Sequence, residues 1–381
     1  MVVKKQTKNI FSAVSLFSGA GGMDIGVIQA GFDILACIEI DPYCCETLRT
    51  SVNREQRKTR IIEDDIRQID PVKLMRDLDI KSGELDLLFG GPPCQPFSQI
   101  GKRKCLEDDR GMLLFEMTRF ADVFRPKVIL IEQVKGLLNA PDRSGKIGGV
   151  FELLLQQLQS LDYITNWKTI IAADYGVPQI RERVFIVSTL KPNQFDFPPP
   201  THCSPKQALP LFPLPPYITV GEAIEGLGKP KAKSEIISEN SHVDVTPDGD
   251  IRRINGVPEG SYLAKELHLP QSQRCNLAKK DTTKFRRLSR TEPALTLRCG
   301  EIFFHPTEDR YLTPREYMRL HGYPDEYLLK GPIKSRSGRA KYLDQHRQIA
   351  NSVPPPVAHI LAEEIKRNLE CRNSLKSLAI R

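Results

Sequence analysis

The sequence has no long apolar run, no paired cysteine motif and no secretory leader. No window of the chain approaches the roughly 18 apolar residues of a membrane-spanning helix, and the basic N-terminus MVVKKQTKNI has no apolar segment behind it. The nine cysteines are scattered and include no C-x-x-C pair, which argues against a zinc site or a disulfide framework. These absences predict a cytoplasmic protein in a reducing compartment, without a bound metal.

The charge of the chain is unevenly distributed. The formal net charge is +8. Residues 271–290 carry seven basic side chains against the single acid Asp281, and residues 330–347 hold a second basic stretch. Two interpretations are open: these stretches are solvated loops, or they form a pair of surfaces that contact nucleic-acid phosphates.

Short apolar runs alternate with amphipathic stretches from residue 11 to about residue 190. The alternation predicts an α/β fold with a mostly parallel sheet covered on both faces. Ligands of such sheets bind at the carboxyl ends of the strands. The predicted strands are Ala13–Phe17, Ile34–Ile38, Leu85–Phe89, Val128–Ile131, Lys168–Ala172 and Val184–Ser188, and the predicted helices between them are Glu46–Asn53, Met112–Val123 and Val150–Leu161.

A proline-rich segment marks a change of domain. Residues 191–220 contain nine prolines, which remove backbone donors and fix φ. We interpret this segment as the entry to a second, smaller and irregular domain over residues 191–339, with residues 1–190 and 340–381 forming the larger domain. Near the end, Pro356–Glu370 is predicted to be a helix and Cys371–Arg381 a frayed basic tail.

The first predicted strand runs into a glycine-rich turn, and acids follow the next two strand regions. The glycines of residues 19–22 would let a cofactor approach the backbone closely. The turn is not a dinucleotide motif, because Asp24 occupies the position of the third glycine in G-x-G-x-x-G. A carboxylate at Glu39 can accept ribose hydroxyls, and Asp65 could bind an adenine amino group. The pattern predicts a nucleoside-containing ligand.

Three further segments carry side chains suited to catalysis. Cys94 follows two glycines and two prolines directly after a strand, and a thiol is the best side-chain nucleophile near neutral pH. Glu132 ends an apolar strand, where burial can keep a carboxyl protonated so that it donates a hydrogen bond. Arg181 and Arg183 lie two residues apart and would share one face of an extended segment.

In their order along the chain, these segments resemble the C5-cytosine DNA methyltransferases. The resemblance covers nearly the whole chain apart from about residues 191–285. Two positions depart from the family pattern, since Gln133 and Ala350 stand where the family usually has asparagine and glycine. The matching series is Phe17–Gly26, Glu39, Asp65-Ile66, Pro93-Cys94-Gln95, Arg110-Gly111, Glu132-x-Val134, Gln179-x-Arg181-x-Arg183, Arg310-x-Leu312-Thr313-x-Arg315-Glu316-x-x-Arg319-Leu320-x-Gly322-Tyr323-Pro324, and Asn351-Ser352-Val353-Pro354.

The resemblance implies a Rossmann-like S-adenosylmethionine-dependent methyltransferase domain joined to a smaller target-recognition domain. The implied reaction is methylation at C5 of a cytosine that is flipped out of a specific short duplex DNA sequence. The Cys94 thiolate would add to C6 of the base. Glu132 would donate to ring N3 and hold the exocyclic amine, while Arg183 would bind O2 with Arg181 in support.

The same resemblance assigns ligand contacts to named positions. In the loop after Cys94, DNA would be contacted by Gln95, Ser98, Lys102, Arg103 and Lys104. In the smaller domain it is the basic cluster of residues 271–290, and not the resemblance, that predicts phosphate contacts for Arg286 and Arg287. The cofactor, S-adenosylmethionine, would be held by Phe17, Gly19, Gly21, Gly22, Glu39, Ile40, Asp65, Ile66, Gly91, Pro93, Leu113, Asn351, Ser352 and Val353.

Size and a single recognition region suit a bacterial modification enzyme. We expect a cytoplasmic monomer that associates with the nucleoid through duplex DNA, either solitary or paired with a separately encoded restriction endonuclease. Three alternatives stay open from the sequence. A tRNA cytosine-5 methyltransferase is disfavoured by the long proline-rich region, a catalytically silent DNA-binding module by the presence of all four catalytic side chains, and a nicotinamide-dependent dehydrogenase by Asp24.

Overall fold

The described chain forms a seven-stranded sheet, a small two-stranded sheet and flanking helices. A computed structural model describes residues 10–93, 113–205, 214–232, 241–255, 257–262, 285–334 and 342–379. Its strands are β1 (Phe11–Leu16), β2 (Phe32–Glu39), β3 (Arg60–Glu63), β4 (Leu87–Gly90), β5 (Val128–Gln133), β6 (Tyr163–Ile171), β7 (Gln179–Ile180), β8 (Glu182–Leu190) and β9 (Ala294–Leu295). Its helices are α1 (Gly22–Gln29), α2 (Pro42–Arg54), α3 (Pro71–Asp77), α4 (Glu116–Phe124), α5 (Gly149–Ser160), α6 (Val220–Ile224), α7 (Asp248–Ile254), α8 (Pro314–His321), α9 (Gln345–Asn351) and α10 (Pro355–Ala379).

The strand order of the large sheet reverses beside β1. The order is β3-β2-β1-β4-β5-β8-β6. The first five strands are parallel, and β8 runs antiparallel to both β5 and β6. Because β1 has β2 on one side and β4 on the other, the connections leave in opposite directions and a crevice opens at the carboxyl ends of these strands.

Local sequence explains where the main elements begin and end. All four residues of β4 are buried, as expected for a parallel strand covered on both faces. Helix α2 starts where the Asp41 side chain accepts from the backbone N–H groups of Tyr43 and Cys44. Helix α8 has a capping box made by Thr313 and Glu316 and ends at Gly322.

Two apolar cores flank the sheet. On one face, α1 and α10 pack through residues such as Val27, Leu361 and Ile365. On the other face, α4 and α5 pack through residues such as Phe120 and Leu154. Within the described part of the chain, no helix combines the length and apolar character needed to cross a membrane.

A third core joins the later part of the chain to the sheet domain. Ala20 and Ile25, at the first turn and α1, cluster with Leu297, Leu312 and Tyr317. Apolar packing therefore crosses from residues 20–25 to residues 297–317. The division into domains at residues 191 and 339 stays a prediction, and the contacts across it place residues 297–317 directly on the sheet domain.

The predicted fold class is confirmed, and one terminal prediction is wrong. The chain forms the expected α/β architecture with a largely parallel sheet. The frayed tail expected over Cys371–Arg381 is instead helical as far as Ala379, because α10 continues without interruption from Pro355. The physical reason is the absence of any glycine or proline after Pro356, so no stop signal ends the helix at residue 370.

We expect Gly26→Ala to destabilise the protein by about 1–3 kcal/mol, the range for overpacking a close-packed interface. A Cβ at Gly26 would lie 2.5 Å from both the backbone nitrogen of His359 and the backbone oxygen of Pro355, where α1 meets α10. Denaturant unfolding measures the effect. The matched control is Gly249→Ala in α7, where a Cβ meets nothing within 4 Å. Equal stability of the two variants would contradict the close α1–α10 contact.

Candidate active site

A cleft opens where the carboxyl ends of β1, β4 and β5 meet the segment that follows α9. We call it the carboxyl-edge cleft. Among the described residues, no group of three His, Cys, Asp or Glu side chains could hold a metal ion. The cleft is lined by Ser15, Leu16, Phe17, Ser18, Gly19, Met23, Asp24, Phe89, Gly90, Gly91, Glu132, Asn351, Ser352 and Val353. Seven of the predicted site residues therefore meet in one place: Phe17, Gly19, Gly91, Glu132, Asn351, Ser352 and Val353.

The turn after β1 has an unusual backbone conformation with open space beside it. Phe17, Gly19 and Gly21 have φ values of 55°, 54° and 78°. A positive φ is uncommon for a residue with a side chain, and such strain concentrates at functional sites. A Cβ at Gly19 would meet no atom within 4 Å, so there is open space directly over the turn.

Gly22 lets two distant parts of the chain touch. A Cβ at this position would lie 2.3 Å from the backbone oxygen of Val353 and 2.8 Å from the hydroxyl of Tyr323. Any larger residue would push the segment 351–353 away from the turn. Gly22, which the sequence suggests for close approach of a cofactor, therefore also allows the C-terminal wall of the cleft to pack against the turn.

Asp24 is a buried acid in the wall of the cleft. Its side chain is 4% exposed, and Oδ1 accepts from the Cys37 thiol at 3.1 Å. Oδ2 is buried and has no hydrogen-bond partner among the residues that the structure describes. Burial raises the pKa of Asp24, against the opposing hydrogen bonds from Cys37 and Ser15. In the sequence, Asp24 serves only to exclude a dinucleotide motif, and no spacing rule reveals it as a buried acceptor.

Glu39 braces the edge of the cleft through its carboxylate. Oε2 accepts from the backbone N–H of Gly19 at 2.7 Å, while Oε1 accepts from those of Ile40 and Asp41, each at 2.8 Å. Burial raises the pKa of Glu39, and the three N–H donors oppose that shift. Ile40 next to it leaves 63% of its surface exposed, which makes it an apolar surface beside the carboxylate.

Asp65 and Ile66 occupy the loop after β3 in different environments. Arg67 donates to the Asp65 carboxylate through Nε at 3.0 Å and Nη2 at 2.5 Å, and this ion pair lowers the pKa of Asp65. Ile66 is 4% exposed and belongs to the core. The predicted contact of Asp65 with an adenine amino group stays a prediction, with Arg67 as a competing partner.

An ion pair joins the ends of β5 and β8. Arg183 Nε lies 2.9 Å from Glu132 Oε1, and both side chains are largely buried. Glu132 Oε2 lies 3.4 Å from where a Cβ of Gly91 would stand. Gly91 follows β4 directly, so this carboxylate faces the start of the segment that carries Cys94.

Gln133 ties β5 to the same segment. Its side chain is fully buried, and Nε2 donates to the backbone oxygen of Pro92 at 2.8 Å. The side-chain amide of Gln133, one methylene longer than the family's asparagine, therefore bonds to the Pro92 carbonyl. Pro93 is half-buried beside it, whereas Cys94, Gln95, Ser98, Lys102, Arg103 and Lys104 lie outside the described residues.

Arg181 is 2% exposed, and its guanidinium bonds to backbone carbonyls and does not point into the open cleft. Its Nη2 donates to the backbone oxygens of Ala350 and Ser352 at 3.0 and 3.1 Å, and Nη1 donates to that of Leu297 at 3.4 Å. Ala350, the second departure from the family pattern, is buried in the third core. Arg181 therefore positions the C-terminal wall of the cleft.

Asn351 and Leu113 are the remaining predicted cofactor residues. The exposed Asn351 accepts from the Cys299 thiol at 2.6 Å through Oδ1. Leu113 is half-buried and packs against the core beneath α4. Asn351 therefore lies at the rim of the cleft, while Leu113 packs with apolar neighbours.

The prediction that Arg287 contacts phosphate is wrong. Arg287 is 6% exposed, and its guanidinium donates to the backbone oxygens of His305, Glu308 and Ile254 and to Asp309 Oδ1 at 2.5 Å. A guanidinium enclosed in this way cannot reach a DNA backbone. Charge patterning could not detect this, because a buried and a solvated arginine look alike in sequence.

Arg286 differs from its neighbour. It is half-buried, and its guanidinium carbon lies 5.1 Å from the centre of the Tyr262 ring. The predicted phosphate contact of Arg286 stays a prediction.

Comparison with known proteins fits the architecture described above. A family model for C-5 cytosine-specific DNA methylase matches residues 11–367. Type II methyltransferase M.Eco47II of Escherichia coli is 33% identical over 96% of this chain and 81% of its own length. Type II methyltransferase M.PspPI of Psychrobacter sp. strain TA137 is 34% identical over 94% of this chain and 80% of its own length. The chain belongs to the C-5 cytosine-specific DNA methylase family, and its activity is that of a DNA cytosine-5-methyltransferase.

Solved structures support the fold. A prophage-encoded protein of E. coli, described as a DNA modification methyltransferase, has a TM-score of 0.69 at 22% identity and covers 94% of this chain and 99% of its own. Spodoptera frugiperda DNMT2 has a TM-score of 0.58 at 17% identity, covering 93% of this chain and 99% of its own. The Rossmann-like methyltransferase fold expected from the sequence is thereby confirmed.

We expect Arg287→Ala to lower the free energy of unfolding by about 2–4 kcal/mol, because several buried acceptors lose their donor at once. Arg286→Ala is the matched control and should cost less than about 1 kcal/mol, because the half-buried Arg286 loses a cation–π contact with Tyr262 and is less enclosed than Arg287. Urea unfolding of both variants checks this. Similar small losses in the two variants would show that Arg287 is not a structural anchor.

Proposed function

We propose that the protein transfers a methyl group from S-adenosylmethionine to C5 of a cytosine flipped out of a specific short duplex sequence, through a covalent bond between Cys94 and C6. The observation that carries this proposal is the Glu132–Arg183 pair at 2.9 Å, set beside Gly91 at the start of the Cys94 segment. An acid and a guanidinium held together at a strand edge suit a pyrimidine ring, which offers N3 and an amine on one side and O2 on another.

The chemistry assigns a role to each side chain. Cytosine C5 is a poor nucleophile until a thiolate adds at C6, which breaks the aromaticity and leaves an enamine. In its protonated form, Glu132 donates to N3 and stabilises the charge that develops on the ring, while Arg183 turns to O2. C5 would then take the methyl group that the cofactor supplies, as the bond from that carbon to the sulfonium sulfur breaks and S-adenosylhomocysteine is released. Loss of the C5 proton to a base and departure of the Cys94 sulfur as a thiolate would restore the aromatic ring.

Gln133 prepares this step without touching the base. Its bond to the Pro92 carbonyl links the strand that carries Glu132 to the segment that carries Cys94. A buried hydrogen bond of this kind would hold Glu132 and the Cys94 segment in a fixed relation to each other. Base access requires extrusion from the stack, since C6 is covered inside a duplex.

The carboxyl-edge cleft fits a nucleoside cofactor with a cationic tail. The space over Gly19 is open, the Glu39 carboxylate has lone pairs that can accept ribose hydroxyls, and exposed Ile40 supplies an apolar surface for a base. Asp24 Oδ2 is an acceptor in the wall of the same cleft. When bound, S-adenosylmethionine supplies an electrophilic methyl group. Phe17, Ser352 and Val353 complete the walls of the cleft that would hold it.

The relatives suggest the biological setting. Both of the relatives described above are named type II methyltransferases, which supports a bacterial modification enzyme, either solitary or paired with a separately encoded restriction endonuclease. We propose a cytoplasmic monomer that associates with the nucleoid through DNA. Bisulfite sequencing of DNA from cells that express the protein tests the proposal, and absence of any methylated sequence context would refute it.

Glu39→Ala should weaken S-adenosylmethionine binding by about 1.5–3 kcal/mol, the range for a hydrogen bond to a charged group. The affinity of the unaltered protein should fall as the pH drops through the raised pKa of Glu39, because a protonated carboxyl loses an acceptor for the ribose. Calorimetry across a pH series measures both effects. Glu63→Ala, an exposed acid at the end of β3 that pairs with Arg49, is the control and should bind normally. Unchanged affinity of Glu39→Ala would remove Glu39 from the site.

A duplex with 5-fluorocytosine at the target position should trap the enzyme covalently in the presence of S-adenosylmethionine. After methylation the fluorine still occupies C5, and because it cannot leave as a cation, the sulfur stays bonded to C6. The adduct should survive denaturing electrophoresis, and Cys94→Ala should abolish it.

The control for the trap is Cys105→Ala, a cysteine in the same segment that should leave the adduct intact. Cys94→Ala should still bind duplex and flip the base, since flipping depends on pocket contacts. Peptide mapping that finds the crosslink at another cysteine, or no crosslink in an enzyme shown to methylate, would overturn the Cys94 mechanism.

A further inference from the structure

A chain of buried side chains connects the segment around Leu297 to the wall of the carboxyl-edge cleft. We call it the Leu297–Ser352 network. At one end, Gln179 and Arg181 bond the two backbone groups of Leu297. The Leu297 N–H donates to Gln179 Oε1 at 3.1 Å, and the Leu297 carbonyl accepts from Arg181 Nη1 at 3.4 Å. The exposed residues Leu295 and Arg298 flank Leu297 on the surface.

At the other end, the Ser352 carbonyl receives two donors. His321 Nε2 lies 2.9 Å from it, and Arg181 Nη2 lies 3.1 Å from it. Gln179 Nε2 lies 3.0 Å from His321 Nδ1 and completes the connection. A carbonyl only accepts, so His321 carries its proton on Nε2, and Nδ1 accepts from Gln179.

Burial makes this network intolerant of a lost member. Gln179 and His321 are fully buried and Arg181 is 2% exposed, so water cannot replace a broken bond without cost. Burial lowers the pKa of His321, and the nearby Arg181 charge lowers it further. His321 is therefore neutral at working pH, and its tautomer is fixed by its two partners.

The two ends of the network lie where different ligands of the proposed reaction are expected. Leu297 is buried within a stretch where Leu295, Arg298 and Cys299 are exposed, and this stretch follows Arg286 in the region expected to meet DNA. Ser352 lines the cleft expected to hold the cofactor. Because Gln179 and Arg181 bond both Leu297 and the groups around Ser352, a displacement of the surface stretch would alter the bonds to the Ser352 carbonyl.

We propose that the Leu297–Ser352 network couples DNA binding to cofactor binding, with His321 as the positioning residue that transmits the coupling. The proposal rests on the proposed function for the identity of the two ligands. His321 acts through Ser352 and touches neither substrate nor reacting atoms. By linkage, DNA should tighten cofactor binding and the cofactor should tighten DNA binding by the same factor.

The test measures the Kd of S-adenosylhomocysteine, which has no methyl group to transfer, with and without a 30-base-pair duplex. The duplex carries the sequence context that bisulfite sequencing identifies. In the unaltered protein the duplex should tighten binding by roughly tenfold, within the usual range for coupled sites. In His321→Phe the ring remains but its donor and acceptor are lost, so the factor should fall to about twofold or less. His321→Gln restores a donor toward Ser352 and should recover most of the coupling.

His242→Phe is the matched control. His242 is another buried histidine, and it bonds the hydroxyl of Thr313 at the opposite end of the helix that carries His321. This variant should lose stability but keep the coupling factor. Full coupling in His321→Phe, equal loss in His242→Phe, or no coupling in the unaltered protein would overturn the proposal. Failure of the unaltered protein to bind S-adenosylhomocysteine at all would instead refute the proposed function.

Discussion

The structure depends on one close contact, where the segment 351–353 lies against the glycine-rich turn after β1. Only a hydrogen atom at Gly22 leaves room for the Val353 carbonyl. The segment forms the far wall of the cleft, and its neighbouring carbonyls, those of Ala350 and Ser352, accept from Arg181. Helix α10, which follows the segment, then packs on α1. The parallel sheet supplies one side of the site, and a part of the chain more than three hundred residues away supplies the other.

The sequence was most informative where chemistry requires a particular residue at a particular strand end. Phe17, Gly91 and Glu132 could be placed at one edge because strand alternation fixes where parallel strands terminate. Their convergence in one cleft follows from topology. The α/β architecture follows from the same alternation, and the strand predictions fall within a few residues of β1, β2, β4, β5 and β8.

Burial and partner choice could not be predicted in the same way. Arg287 resembles its neighbours in a basic run, but the fold encloses it among backbone carbonyls. Gln133 reads as a small departure from the family pattern, and its contact with Pro92 depends on a loop conformation that no spacing rule specifies. His321 lies between Leu320 and Gly322 of the family motif at a position that the motif leaves open. Its role is defined only by its hydrogen bonds, which leave no periodic signal in the sequence.

The packing of α10 on α1 has a consequence for how the protein is made. Val27 lies near the start of the sequence, and its partners Leu361 and Ile365 come after most of the chain. During synthesis, the apolar face of the sheet beside α1 stays exposed to solvent until those residues emerge from the ribosome. The nascent chain therefore presents an apolar surface that chaperones can bind. The contact joins residues far apart in sequence, which slows its formation. The enzyme therefore acquires its site only after residues 350–370 have been translated, and an incomplete chain has no finished cleft with which to modify DNA.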